Sequence, residues 1–525
     1  MEILIWIGAV SPIVVLFLLI SLFQMKTERA ALIGLAAAIV LSVLVGKSDF
    51  KIIGIDLSKG IFSALNILIV IWPAIFLYQI LNMSKAFGGI CKLLQQKTED
   101  QLMLILLIGW LFSSFLQSIT GFGVPVAVCA PLLIALGIAP LWSVIVTLLG
   151  HAWANTYGTF ALAWEALISQ SETQQLLSVK LVAGGLLWLV DIAGVLLICW
   201  LYGKWKAVRH MLPFVIIIST VHGGGQLLVS LFNPVIAAFL PTAAALLIAW
   251  LILSIGFYQS SWHTDNRLAG IKREKEKLTS GISEKSALFP FIVLTLISIL
   301  ILLVRPVNQI LNKIVFQLSF PATETGLGFS VEATDAYGTI HIFTHAGFVL
   351  LLTCVITYFA YRKWGILKSG KFLKIWRETI KKVMPASLGI LFLIMMAQVL
   401  KGSGMMQIVA EGVTMLTGGF YGAFSPLLGL LGAFVTSSNT SSNILLGSFQ
   451  KISADLLKLP EAAVLAGQTA GGAIGTVVGP STILLGTTTA NSRGKEGKVL
   501  KFMLPIVLAE ALITGCITYL IIVYQ

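Results

Sequence analysis

Two short polar stretches inside strongly apolar sequence carry the residue types that could bind a small anion. The first, 436–443, reads TSSNTSSN and lies between the apolar or glycine runs 427–435 and 444–449. The second, 117–125, reads QSITGFGVP, in which the glycines allow close backbone approach and the proline suits the start of a helix. A helix that begins at such a break directs free N–H groups and the positive end of its dipole at a ligand. Both breaks therefore predict a binding site for a carboxylate.

Neutral hydrogen-bonding residues at two further breaks extend this set. The segments 151–159 and 468–482 interrupt apolar sequence with Gly, Asn, Gln, Ser and Thr. The substrate-binding residues predicted from all four segments are Ser118, Thr120, Gly121, Gly123, Asn155, Thr156, Ser438, Asn439, Thr440, Ser441, Ser442, Asn443, Gln468, Thr469, Ser481 and Thr482. The alternative is that these residues only cap and pack helices, since small and hydroxylated residues are common at helix contacts in membranes. The presence of two related breaks favours a binding site.

Ionisable side chains within apolar runs are the candidates for carrying a coupled proton, because a charge at the centre of a membrane helix costs about 2.5–3.5 kcal/mol on insertion scales. Asp191 and Glu510 occupy such positions 319 residues apart, and Glu165 and His151 are alternatives. Each acid could instead cap or pair with a neighbouring helix, and His222 is expected to be structural or interfacial. The sequence contains no Walker motif, metal-ligand cluster or nucleophile with its base. We therefore expect no cofactor, no metal and no enzyme activity.

The composition requires that these residues be carried by membrane-spanning helices. Of the 525 residues, 57% are hydrophobic and only 11% are charged, and apolar runs of about 20 residues, the length needed to cross a bilayer, recur throughout. The net charge of +13 comes from Lys and Arg clustered between these runs, as in cytoplasmic loops, which argues against nucleic-acid binding. The five cysteines are widely spaced and mostly within apolar runs, so neither a disulfide framework nor a metal site is expected.

The charges of the short loops predict the direction of each crossing. The basic loops, assigned to the cytoplasm, are 26–29, 85–97, 204–209, 267–285, 362–382 and 493–498. The segments 170–178 and 402–418 are poor in Lys and Arg and are assigned to the outside, as is the polar loop 321–339. Because an odd number of crossings must join the inner loop at 97 to the outer loop at 171, the stretch 101–168 is interpreted as a re-entrant hairpin followed by one broken span.

A repeat at a shift of 320 residues supports the same interpretation for the second half. It pairs Gly109 with Gly429 and Ser118 with Ser438. The predicted organisation is N-terminal spans in 1–60, a first repeat in 61–210 with a hairpin at 102–136 and a broken span at 141–168, intervening scaffold spans in 211–383 with a cytoplasmic loop at 258–286, and a second repeat in 384–525 with a hairpin at 420–457 and a broken span at 461–490. The expected fold class is an all-α polytopic membrane protein, an inverted-repeat transporter with two re-entrant hairpins and two broken helices. About twelve crossings with both termini outside satisfy the charges.

The segments 120–127 (TGFGVPVA) and 439–448 (NTSSNILLGS) resemble the L-lactate permease family of bacterial monocarboxylate/proton symporters. The resemblance extends through the pairs Gly471-Gly472 and Gly479-Pro480 and is consistent with the whole length. It implies uptake of L-lactate, and often glycolate, with protons across the bacterial inner membrane. The tip at 438–440 is also similar to that of the wider ion-transporter superfamily, which implies a homodimer in the lipid bilayer.

Three positions depart from this family's pattern, which has acidic residues where this chain has Gln117 and Asn439 and a Lys where it has Thr476. The neutral residues shift the expected proton pathway to Asp191 and Glu510 and remove an obvious partner for the substrate carboxylate. The predicted function is secondary active transport of a small 2-hydroxymonocarboxylate, L-lactate or glycolate, by proton symport. The alternative is a transporter of a different organic or inorganic anion coupled to Na⁺ or another ion, since hydroxyls and backbone carbonyls are acceptable Na⁺ ligands.

Overall fold

The computed structural model describes residues 2–262, 268, 282–368 and 370–524, which form helices connected by short loops. In chain order the helices are α1 Glu2–Ser21, α2 Thr27–Leu44, α3 Phe50–Met83, α4 Ala86–Gln95, α5 Gln101–Leu106, α6 Ser113–Ile119, α7 Val124–Ala135, α8 Pro140–His151, α9 Gly158–Ser171, α10 Leu176–Ser219, α11 Gly225–Phe232, α12 Phe239–Ser254, α13 Glu284–Ser298, α14 Arg305–Leu311, α15 Ala346–Lys363, α16 Lys371–Gly402, α17 Met405–Thr417, α18 Tyr421–Thr436, α19 Asn439–Leu456, α20 Glu461–Thr476, α21 Pro480–Thr489 and α22 Glu496–Tyr524. Segments with π-helical geometry are Leu107–Phe112, Thr220–Gly224 and Ile299–Leu303, and short 3₁₀ turns are Ala152–Asn155, Pro234–Ile236 and Gly418–Phe420.

Within the described residues, twelve helical stretches are long and apolar enough to cross a membrane. They confirm the predicted all-α, polytopic fold class. The longest, Leu176–Phe232, comprises 57 residues. It kinks at Gly203 and Lys204, whose φ/ψ angles are not helical. The kink coincides with the basic loop that the sequence predicts at 204–209, so the stretch can supply two crossings.

Four short strands form a part of the described fold that the sequence does not predict. β1 Val315–Phe320 pairs antiparallel with β4 Thr334–His341, and β2 Thr323–Glu324 pairs with β3 Ser330–Val331. The sequence predicts a polar loop at 321–339. The residues at either end of this loop are apolar enough to pack on α3. The Tyr337 hydroxyl forms a 2.9 Å hydrogen bond with Ser63 Oγ, which attaches the strands to that helix.

The same order of elements occurs twice along the chain. A long helix and a short amphipathic helix (α3 and α4) precede two hairpin arms, a broken helix and the first part of α10. In the second half, α16 and α17 precede the arms α18 and α19, the broken helix of α20 and α21, and the long helix α22. The opposite orientation of these two runs in the membrane stays a prediction.

Each hairpin turns at a few residues with unusual backbone angles. In the first, Gly121, Phe122 and Gly123 all have φ between +48° and +73°, and α7 begins directly after them. In the second, only Ser437 and Ser438 separate α18 from α19. The polar stretch 439–443 is therefore the first part of a helix, which Ser438 caps by accepting a 3.2 Å hydrogen bond from the N–H of Ser441.

The breaks in the two broken helices lie beside the hairpin tips. After α8 the chain passes through the 3₁₀ turn 152–155, and residues 159–161 adopt left-handed angles before regular helix resumes. In the second half, α20 ends at Thr476, and Pro480 starts α21 after three intervening residues. Both breaks thus leave helix ends facing the hairpin tips.

The hairpin arms lie very close to the broken helices because glycines face backbone at the contacts. A methyl group at Gly150 of α8 would overlap the carbonyl oxygen of Gly109, and one at Gly471 of α20 would overlap that of Pro426. The two contacts occupy corresponding places in the two halves. Small residues that allow backbones to approach are a general feature of helix packing in membranes.

The structure corrects one predicted loop, and another predicted loop lies mostly outside the described residues. The basic run 362–382 is a loop only between α15, which ends at Lys363, and α16, which begins at Lys371 and continues without interruption to Gly402. Its buried residues Ile375, Thr379 and Val383 recur every four positions, which is helical spacing. Most of the predicted cytoplasmic loop 258–286 lies outside the described residues.

We expect Gly150→Ala to destabilise the protein by about 1–3 kcal/mol, because the added methyl group has to push two backbones apart. Gly54→Ala is the matched control, since Gly54 is also within a helix but a methyl group there would meet nothing within 4 Å. That change should be neutral or stabilising. Thermal unfolding of the purified variants in detergent measures both effects, and equal unfolding temperatures would contradict the close contact.

Candidate functional site

A cavity of about 350 Å³ lies between the two hairpin tips, the two broken helices, and parts of α2, α3 and α16. Its volume is within the usual range for small-molecule sites. The predicted residues that line it are Gly123, His151, Asn155, Ser438, Asn439, Thr440, Ser441, Ser481 and Thr482. The structure therefore brings residues from all four predicted segments to one place.

Three helices begin at this cavity. They are α7 after Gly123, α19 after Ser438, and α21 at Pro480. The cavity wall includes Gly123 before α7, the first residues of α19, and Ser481 and Thr482 in the first turn of α21. The N–H of Ser481 donates to Ser437 Oγ at 3.1 Å, which joins the start of α21 to the second hairpin tip. The positive ends of three helix dipoles make this a favourable environment for an anion.

Lys382 is a cavity-lining residue that sequence reasoning missed. It was assigned to a cytoplasmic loop, but it lies in the first half of α16 and contributes to the cavity wall. Its Nζ atom is 4.2 Å from the centroid of the Tyr78 ring, a cation–π contact that orients the side chain. The buried helical spacing of Ile375, Thr379 and Val383 was the signal that could have found it. Glu28, at the start of α2, is the acidic residue of the described cavity wall.

Five other predicted residues form a buried polar network behind the cavity: Thr156, Ser442, Asn443, Gln468 and Thr469. Asn443 Nδ2 donates to Thr469 Oγ1 at 2.9 Å, and the hydroxyls of Thr469 and Thr156 are 3.1 Å apart. Gln468 Nε2 donates to Ser442 Oγ at 3.1 Å. These bonds join the second hairpin to both broken helices, so these residues position the site without lining it.

Asn439 connects this network with the cavity. Its Nδ2 atom donates to Thr156 Oγ1 at 3.2 Å, while its Oδ1 atom is buried without a hydrogen-bond partner among the described residues. Such an acceptor is costly unless a ligand satisfies it. Asn439 thus lines the cavity and carries an unsatisfied acceptor, which is packed against Gly472 of α20.

The predicted hydroxyls of the first tip point elsewhere. Ser118 Oγ donates to the carbonyl of Phe115 at 2.7 Å, and Thr120 Oγ1 donates to that of Leu116 at 2.8 Å. Neither residue lines the cavity, and nor does Gly121 at the turn. Gln117, one turn earlier, does line it.

Three positions carry neutral residues in this chain where the family that it resembles has charged residues, and all three line the same cavity. They are Gln117, Asn439 and Thr476. Gln117 Nε2 donates to Asn155 Oδ1 at 2.8 Å, so the first tip is tied to the first broken helix. The departures from the family pattern are therefore concentrated where a ligand would lie.

The four predicted proton-coupling residues are not brought together. His151 lines the cavity, and its Nδ1 atom is 2.6 Å from the carbonyl of Thr147. Asp191 is buried away from the cavity, where Trp110 and Ser219 donate to its two oxygens. Glu165 and Glu510 are partly buried on α9 and α22 and do not line the cavity.

Cysteine labelling can test the described cavity wall. Ser481 is exposed and lines the cavity, whereas Ser442 is fully buried with its hydroxyl bonded to the carbonyl of Gly429 at 2.8 Å. In a Cys516→Ser background, which removes the exposed native cysteine, Ser481→Cys should react with a small maleimide and Ser442→Cys should not. Mass spectrometry of the protein in detergent measures the adduct. Equal labelling of both variants would contradict this assignment.

The sequence matches known proteins along nearly its whole length. A sequence model of the family described as L-lactate permease matches residues 6–524. An L-lactate permease of Halalkalibacterium halodurans is 26% identical over 94% of this chain and 93% of its own length. The glycolate permease GlcA of Escherichia coli is 26% identical over 98% of this chain and 95% of its own length.

Among solved structures, the YdaH transporter of Alcanivorax borkumensis aligns with 89% of this chain and 87% of its own chain, with a TM-score of 0.45 and 14% identity. The family match spans nearly the whole sequence, and twelve described helices can cross a membrane. Family and fold together indicate a transporter rather than an enzyme. The chain therefore belongs to the L-lactate permease family and is a multi-pass protein of the bacterial inner membrane.

Proposed function

We propose that this protein takes up a small 2-hydroxymonocarboxylate, L-lactate or glycolate, by proton symport. The observation that carries the proposal is the convergence of three helix N-termini and Lys382 on one cavity, in a member of this family. Relatives named L-lactate permease and glycolate permease support the choice of substrate class. Helix N-termini and an ammonium group both favour a carboxylate.

The cavity offers different partners to the two polar ends of such a substrate. The carboxylate binds between Lys382 and the free amides at the starts of α19 and α21. The 2-hydroxyl group donates to Asn439 Oδ1, which otherwise lacks a partner among the described residues. Because Thr476 is neutral, Lys382 supplies the countercharge that the family pattern places on a different helix.

The conformation supports access to this site from the cytoplasm. Lys382 lies near the end of α16 that the charge pattern assigns to the cytoplasm. At the other end of the same helix, Lys401 Nζ is 2.8 Å from Glu172 Oε2 at the end of α9, and Gln398 donates to Gln170 at 3.4 Å. These contacts close the opposite side, roughly 28 Å away at 1.5 Å per residue. Transport alternates access as the hairpins and broken helices move against the other helices.

Uptake by proteoliposomes tests the proposed function. With an inward proton gradient and no Na⁺, labelled L-lactate should accumulate above its equilibrium level, and unlabelled glycolate should compete. Equal uptake with and without the gradient would exclude proton coupling. Uptake that depends on Na⁺ at fixed pH would support a sodium-coupled transporter, and no uptake of either acid would exclude this substrate class.

We expect Lys382→Met to weaken substrate binding about tenfold or more, because a hydrogen bond to a charged group contributes about 1.5–3 kcal/mol. Lys381→Met is the matched control, since it removes the same charge from the adjacent exposed position of α16. The apparent Kd for L-lactate, measured by thermal shift and by the concentration dependence of uptake, should change in the first variant alone. Equal effects of the two substitutions would show that only general surface charge matters.

A further inference from the structure

A carboxylate and an imidazole lie side by side in the protein interior, away from the substrate cavity. Asp191 on α10 is 1% exposed and accepts hydrogen bonds from Trp110 Nε1 at 2.6 Å and Ser219 Oγ at 2.7 Å. His222 is fully buried, and its Nδ1 atom is 3.6 Å from Asp191 Oδ1. Two donors hold the carboxylate in place, and the imidazole faces the same oxygen as Trp110.

The imidazole of His222 has no hydrogen-bond partner at either nitrogen among the described residues. Any imidazole carries at least one N–H group, so in this geometry a buried donor is left unsatisfied. The ring instead packs against two indoles, with centroids 5.1 Å from Trp110 and 4.7 Å from Trp153. A small shift of this ring toward Asp191 would complete a charge-assisted bond.

The balance of charge favours a bound proton at this pair. An unpaired carboxylate buried within a membrane protein is costly, whereas protonation of His222 makes the pair neutral as a whole. The neighbouring elements α5, α11, α12, 107–112 and 152–155 contain no other ionisable side chain.

The other ionisable side chains on the packed helices are committed elsewhere or distant. On α8 there is His151, bonded to the carbonyl of Thr147, and on α20 there is Glu461, which is 4.0 Å from Lys451. The other ionisable side chains of α10 lie about two or more helical turns along the chain from Asp191 and His222. Within the described part of the chain, His222 is therefore the nearest group that can balance Asp191.

His222 and one of the two hydrogen-bond donors to Asp191 lie in segments with π-helical geometry. Trp110 belongs to the π-helical segment 107–112 and His222 to the π-helical segment 220–224. Such segments are often found at functional sites. Trp153, which covers the other side of the His222 ring, lies in the broken-helix turn between His151 and Asn155, both of which line the substrate cavity.

We infer that Asp191 and His222 together bind the transported proton, with Trp153 linking its occupancy to the substrate cavity. This inference rests on the proposed symport. One proton adds to the free nitrogen of His222, and the imidazolium then donates to Asp191 Oδ1. The same proton leaves on the other side of the membrane, so no other bond forms or breaks. Movement of the turn 152–155 on substrate binding shifts the Trp153 ring and opens or covers the pair.

Tryptophan fluorescence of the purified full-length chain tests proton binding without any transport assay. Because an imidazolium quenches an adjacent indole, acidification should lower the emission of the wild type in detergent. In a His210→Gln background, which removes the imidazole stacked on Trp262 with ring centroids 4.3 Å apart, the difference should vanish in His222→Gln and shrink in Trp153→Phe. Asp191→Asn, which preserves the side-chain shape, should also change the pH dependence of the emission, because it removes the carboxylate beside the imidazole. Identical titrations of wild type and His222→Gln, or of wild type and Asp191→Asn, would overturn the inference.

Proteoliposomes containing a trapped pH dye test the coupling. Gradient-driven accumulation of L-lactate should fall at least tenfold more than lactate counterflow in both Asp191→Asn and His222→Gln. His210→Gln is the matched control, since His210 also pairs with an Asp, Asp100, at 3.0 Å but is a quarter exposed. It should retain the wild-type ratio.

The fluorescence titration and the proteoliposome assay together distinguish failure of the proposed function from failure of the proton-binding assignment. If the wild type carries no lactate, the proposed function fails, while the fluorescence titration still decides whether the pair binds a proton. Accumulation that responds to the gradient in both pair variants as it does in the wild type would overturn the assignment.

Discussion

A helix that stops inside a membrane has to satisfy its terminal N–H and C=O groups without bulk water, and the rest of this structure depends on how that is achieved. The second hairpin shows the solution most clearly. Ser438 caps α19, Ser442 donates to the carbonyl of Gly429, and Asn443 reaches both Thr469 and the carbonyl of Ala163. The two hairpins and two broken helices enclose one another, so that the polar backbone at the breaks faces protein or the cavity and is kept from lipid.

The same arrangement explains why the site suits an anion although it contains few charges. Three helices begin at the cavity, and each contributes amides that the helix itself cannot use. A binding site built from backbone dipoles and one Lys tolerates neutral residues at Gln117, Asn439 and Thr476, whose side chains supply hydrogen bonds in place of charge. In the proposed symport, the proton binds elsewhere, at Asp191, which does not line the cavity.

Much of this fold could be predicted from the sequence because the breaks are local features. Eight consecutive polar residues at 436–443 within apolar sequence have few explanations other than a break, and loop charges then restrict the topology. What could not be predicted depends on distance between remote segments. The contact of Thr156 with Thr469 joins residues 313 positions apart, and the partnership of Asp191 with His222 depends on a kink at Gly203 and Lys204 that returns α10 alongside itself. Lys382 was missed for a different reason, since a basic run at a helix end has the same composition as a loop.

The position of Lys382 has a kinetic consequence. Lys382 lies on α16 and Glu28 lies on α2. The hydrogen-bonding residues of the cavity lie on the hairpins and broken helices, which buried hydrogen bonds join to one another. If that joined body moves across the membrane relative to α16, it leaves the Lys382 ammonium group behind. Substrate would then bind more weakly on one side of the membrane than on the other. Transport would be kinetically asymmetric, with unequal half-saturation concentrations for entry and exit under the same driving force.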